Sequence, residues 1–245
     1  MDRMIYTAMT GAKALEQRQH ALSNNLANAS TDGFRADIET FRAVPLQADG
    51  PATTRVFSIE ATAGFDAATG PLRQTGVPLD MAIRGDGWFA VGGPDGVEQY
   101  TRNGAFVVGP DGQLQTLAGL PVIGDGGPIV VPESAQVMVG IDGTLSAQVG
   151  AQAPVQIGRL KLVNPPQAEL EKTGNGLVKM RNGQASPADE AIRVVGGALE
   201  GSNVNVVEAM VGMIAVSRQF EMQMRMIQNA ESNEQRATSI LSRNG

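Results

Sequence analysis

Two stretches of this chain contain no proline and repeat apolar residues in steps of three and four, and they lie at its two ends. Only a helix gathers such positions onto one face, and a proline would interrupt it. The first runs from Arg3 to Ala29, with Ile5, Ala8, Ala12, Leu15, Leu22 and Leu26 on the stripe and Gln19 as its polar exception. Asn24, Asn25 and Asn28 are weak helix formers, and Asp32-Gly33 is a turn pair, so the helix is expected to stop between Asn28 and Gly33. Gly33 is expected at positive φ. The second stretch runs from Asn203 to Ser242 and carries Val206, Met210, Met213, Phe220, Met224 and Ile227. Asn205 followed three residues later by Glu208 is a capping-box pattern. A helix of that span is about 60 Å long, unusual for a globular domain.

Between the two ends the period changes. Short β-rich runs such as Met81–Ile83, Trp88–Val91, Glu98–Thr101, Gln136–Val139 and Thr144–Val149 alternate with turn pairs, among them Asp86-Gly87, Asn103-Gly104, Asp111-Gly112 and Asp142-Gly143. Many short strands so punctuated predict an antiparallel barrel or sandwich. Phe34–Leu79, with Pro45, Pro51, Pro71 and Pro78, is expected to be extended and partly irregular. The fold class is therefore α+β: long terminal helices paired as a coiled coil, with a mainly antiparallel β domain inserted between them. The expected boundaries are 1–30 for the first helix, 31–79 for an extended linker or β segment, 80–187 for the β domain, 188–202 for a return segment and 203–245 for the last helix.

The scarce residues narrow the chemistry. Cysteine is absent, which removes thiol nucleophiles, disulfides, zinc ribbons and iron–sulfur clusters. The one histidine, His20, sits among Gln17, Arg18 and Gln19 and reads as a solvated helix residue, not a catalytic base. A net charge of -6 argues against nucleic acid as a partner. Gly85-Asp86-Gly87-Trp88-Phe89-Ala90 has the form of a dinucleotide loop, yet Trp88–Val91 is strand-like where that loop needs a helix. No catalytic constellation, cofactor site or metal site is expected. No membrane span is expected, nor a cleavable signal peptide, because Lys13 and Glu16 interrupt the N-terminus before an apolar core forms.

Several blocks carry a resemblance. Ser23-Asn24-Asn25-Leu26-Ala27-Asn28-Ala29-Ser30-Thr31-Asp32-Gly33-Phe34-Arg35 resembles the N-terminal signature of the bacterial flagellar rod and hook family, with Ser23 and Arg35 as mild departures. Asn24, Asn25, Leu26, Asn28, Gly33 and Phe34 are the residues that carry it. Leu79–Phe89 is similar to a further block of that family, with Trp88 at a position usually Phe. Tyr100–Gly104, Asp111–Leu114 and Leu199–Val204 are similar to others. Met1–Tyr6, Gly124–Ile129 and Phe220–Met224 are more like the proximal-rod branch than the distal-rod branch.

The resemblance implies a structural subunit of the proximal rod. Its terminal helices would form an inner layer, termed D0, around the export channel, with the β domain, D1, outside. It further implies assembly through the helix stripes and torque transmission. The partners would be other copies and neighbouring rod proteins, and the subunit would reach the periplasmic rod through the type III export apparatus without a cleavable signal. The alternatives are the distal-rod paralogue, a β-rich enzyme acting on peptidoglycan, which would need two placed carboxylates, and a soluble binding module whose helices form a closed dimer.

Overall fold

A computed structural model describes the backbone over residues 2–45 and 56–243, and the side chains over 8–39, 64–229 and 231–232. It contains two helices, α1 (Asp2–Ala27) and α2 (Val206–Arg243), and strands that pair antiparallel throughout the described residues. The fold is α+β. The chain divides into two compact units: residues 1–27, 37–65 and 205–245 form one, residues 28–36 and 66–204 the other, so the chain passes between them four times.

In the helical unit α1 packs against α2. Helix α1 runs through Asn24 and Asn25 and stops at Ala27, just before Asn28. Asn205 caps α2, its side-chain oxygen accepting from the backbone N–H groups of Val207 (3.1 Å) and Glu208 (3.3 Å). At 38 residues, α2 is about 57 Å long. Within the segment expected to be extended and partly irregular, β1 (Asp37–Pro45) pairs with β2 (Val56–Phe65) as a long antiparallel ladder, and the two strands pack on α1. Of the prolines that suggested irregularity, Pro45 ends β1 and Pro71 and Pro78 lie outside both strands, where no ladder N–H is needed, while Pro51 lies outside the described residues.

The second unit is not one closed barrel or a two-layer sandwich. Its turns recur so often that most strands are two to six residues long, and the ladders fall into several small sheets around one core. The largest has the order Leu162–Val163, Trp88–Gly92, Glu98–Thr101, Val178–Met180, Leu170–Lys172. Met81, Phe89, Phe106, Leu114, Leu145 and Leu160 fill the core, with the Phe89 and Phe106 rings edge to face at 5.2 Å. Gly104 departs from the turn reading of Asn103-Gly104. Its φ is not positive, and a Cβ there would sit 1.7 Å from the Met81 carbonyl oxygen, so the glycine serves close backbone approach.

Candidate functional site

The β unit brings blocks from distant parts of the sequence onto one carboxylate. Glu200 is fully buried. Its Oε1 accepts from Arg35 Nη2 at 2.7 Å and from the backbone N–H of Gly70 at 2.8 Å. Its Oε2 lies 2.6 Å from Arg102 Nη2. Its backbone oxygen accepts the N–H of Gly33 at 2.6 Å. Arg35 and Arg102 are as buried as the carboxylate between them, so the triad stands on charge pairing without solvent. Burial pulls the Arg102 guanidinium below its ordinary pKa, with Glu200 acting against that and Arg35 adding to it.

Arg102 also donates from Nη1 to the carbonyl of Gly87 and from Nη2 to that of Gly85, each at 2.8 Å. The stretch that imitates a dinucleotide loop is therefore the lead-in to a strand, with its carbonyls held by Arg102. Arg35 lies over the Trp88 ring at 5.9 Å, and Lys172 lies over the Phe34 ring at 4.0 Å while donating to the Arg35 carbonyl. Asn203 accepts the N–H of Ala36 at 2.7 Å and donates to the carbonyls of Asp66 and Ala68. Local sequence gives no sign of this triad: Arg35, Arg102 and Glu200 each lie in a block of the family pattern, but no spacing or motif shows that they meet.

The motif residues fall in both units. Asn25 is buried in the helical unit, where its side chain donates to the Asp37 carbonyl at 3.0 Å and accepts the Asp37 N–H at 2.7 Å, a two-point clamp on the start of β1. Asn24 donates to the Asp37 carboxylate at 2.7 Å. Leu26 is half-buried. In the β unit, the Asn28 carbonyl accepts the N–H of Thr31, Gly33 has φ +71°, and Phe34 is buried.

The helix stripes separate into two surfaces. Of the α1 residues, Ala8 is buried, Ala12, Leu15 and Leu22 are half-buried, and Ile5 lies outside the described side chains. On α2 the buried line is Ala209 and Val216, with Gly212 and Gln223 between and beyond them. The predicted stripe lies beside that line. Met213 and Ile227 are half-buried, whereas Val206, Met210, Phe220 and Met224 are exposed at 36–49%. Val207, Val211 and Ile214 are exposed as well, so the first turns of α2 are apolar on several sides. A helix apolar all round belongs to a covered environment. No described helix is long and apolar enough to cross a membrane.

Three family models match in chain order: "Flagella basal body rod protein" over residues 5–35, "Flagellar hook protein FlgE/F/G D1 domain" over 82–147, and "Flagellar basal body rod FlgEFG protein C-terminal" over 195–240. The flagellar basal-body rod protein FlgF of Salmonella typhimurium is 46% identical, covering 99% of both chains. The chain belongs to the flagellar basal-body rod family. The FlgF protein of Escherichia coli K12 is 45% identical over 99% of both chains, and the FlgG protein of Buchnera aphidicola from Schizaphis graminum 32% identical over 96% of this chain and 98% of its own. This member is more similar to those two FlgF proteins than to that FlgG protein. Members of the family are structural proteins of the rod, not enzymes, and the matched blocks include the residues that build the Glu200 triad.

Proposed function

We propose that this chain is a subunit of the proximal rod in the periplasmic part of the flagellar basal body, and that it assembles through its terminal helices. The carrying observation is the uncovered apolar surface of α2, at Val206, Met210, Phe220 and Met224, in a chain nearly half identical to FlgF proteins along its whole length. In this reading 1–30 and 203–245 form a coiled-coil inner layer around the export channel, and 80–187 forms the outer domain. The interface with other copies and with neighbouring rod proteins is Ile5, Ala8, Ala12, Leu15, Leu22 and Leu26 together with Val206, Met210, Met213, Phe220, Met224 and Ile227. Ordering the helices costs conformational entropy, and burial of these side chains at the growing end offsets it. The packed β core carries torque between subunits. Export proceeds through the type III apparatus without a cleavable signal.

Complementation tests the reading. Expressed in a strain lacking its proximal-rod subunit, the protein restores swimming and is found in purified basal bodies. In a strain lacking the distal-rod subunit it does not. Rescue of the distal-rod strain alone would assign it to the distal segment.

A further inference from the structure

Helix α2 reaches the backbone of α1 with a polar side chain. Gln223 Nε2 donates to the backbone oxygen of Ala8 at 3.0 Å. The site opposite it on α1 is a glycine: a Cβ at Gly11 would lie 2.8 Å from Gln223 Nε2. Further along the pair the roles reverse. Gly212 is the notch on α2, and a Cβ there would lie 3.2 Å from a methyl of Leu22 on α1. These are the only glycines in either helix.

The two contacts share one geometry. From Gly11 to Leu22 is eleven residues, and from Gly212 to Gln223 is also eleven. Eleven residues is about three turns and about 16 Å of rise, so both contacts lie on the same side of each helix and their separations match. The helices run antiparallel, since Gly11 meets Gln223 and Leu22 meets Gly212. We infer that Gln223 and the Gly11 and Gly212 notches form a register clasp that locks α1 against α2 in one axial alignment. The inference rests on the reading that the terminal helices stay paired in the working subunit.

The alternatives are penalised in both directions. Sliding α1 one turn one way puts Leu15 in place of Gly11 against the Gln223 amide, which crowds a half-buried donor with a side chain. Sliding it four residues the other way puts Arg18 in place of Leu22 at the Gly212 notch. A polar residue that finds its hydrogen bond in only one alignment is a known way to fix register, since misalignment leaves it unsatisfied. Register matters for a subunit whose outer helix faces pack on neighbours. A slip of one turn moves Met210, Phe220 and Met224 by about 5.4 Å relative to α1.

The absence of cysteine makes the alignment directly readable. Leu15 and Gln219 continue the line set by the two contacts, so the Leu15→Cys/Gln219→Cys pair reports the clasped register. Gln19→Cys/Gln219→Cys reports the one-turn slip that brings Leu15 to Gln223. In otherwise unaltered full-length protein under mild oxidation, the clasped pair should cross-link at least about tenfold more than the slipped pair. Gln223→Met keeps the length and removes the donor; Gly11→Leu closes the notch. Each should cut the preference at least about threefold, the two together abolishing it, while the β-unit circular dichroism stays unchanged. An unchanged ratio in both variants would overturn the clasp but leave helix pairing intact. No cross-link from either pair in the unaltered background would overturn the pairing, and the clasp with it.

Discussion

Replacing Glu200 by Gln should destabilise the β unit more than any surface change of similar size. The substitution keeps the shape and one acceptor oxygen but removes the negative charge between Arg35 and Arg102. Both guanidiniums are 2–3% exposed and no solvent can replace the lost partner. Breaking a buried ion pair by removing one member costs about 3–5 kcal/mol, chiefly the desolvation of the stranded charge. With a urea slope of about 2 kcal/mol/M, the unfolding midpoint should fall by about 1.5–2.5 M. The only tryptophan, Trp88, is buried beneath Arg35, so its fluorescence reports this region directly. The cost should shrink when one cation is removed as well: Arg35→Met combined with Glu200→Gln should be less damaging than the sum of the two single changes, because only one stranded charge remains. A midpoint shift below about 0.5 M for Glu200→Gln, or strict additivity in the double variant, would refute the triad as the unit's central tie.

Other parts of the molecule make their own demands. Met224→Asp should change the free subunit by no more than about 0.5 kcal/mol, because the site is 39% exposed, yet block rod assembly and swimming; a large drop in melting temperature would instead make this residue monomer core. Gly33→Val should destabilise the β unit by at least about 2 kcal/mol, since φ is +71° and a Cβ would fall 2.2 Å from the Asn103 nitrogen, and a wild-type urea midpoint would contradict this. Burial pushes the Tyr100 phenol from 10.0 up to about 12, with Glu98 adding to it and the Ser186 N–H opposing. The unfolded chain then loses that proton first, so stability should be intact below pH 10 and fall between about 10 and 12, and Tyr100→Phe should flatten that fall in pH-dependent urea melts.

What the sequence determined by itself is local. Helix existence at both ends, the cap at Asn205, the positive φ of Gly33 and most turn positions depend on residues within a few positions of each other, and periodicity and turn chemistry report those directly. The family was legible for a related reason, because its signature lies in contiguous blocks. The ladder between β1 and β2 was not legible, since β pairing of Asp37 with Phe65 depends on contacts that no local pattern records. The same holds for the triad: Arg35 and Glu200 are 165 positions apart, and nothing near either charge announces its partner. The face of α2 that meets α1 was also beyond the sequence. Its first turns are apolar on several sides, so hydrophobic spacing alone fits both the Val206–Ile227 stripe and the adjacent line of Ala209, Gly212, Val216 and Gln223. Packing chose the second, because small residues and one hydrogen-bonding glutamine let the two helices approach closely, while the bulkier methionines and Phe220 stay outside.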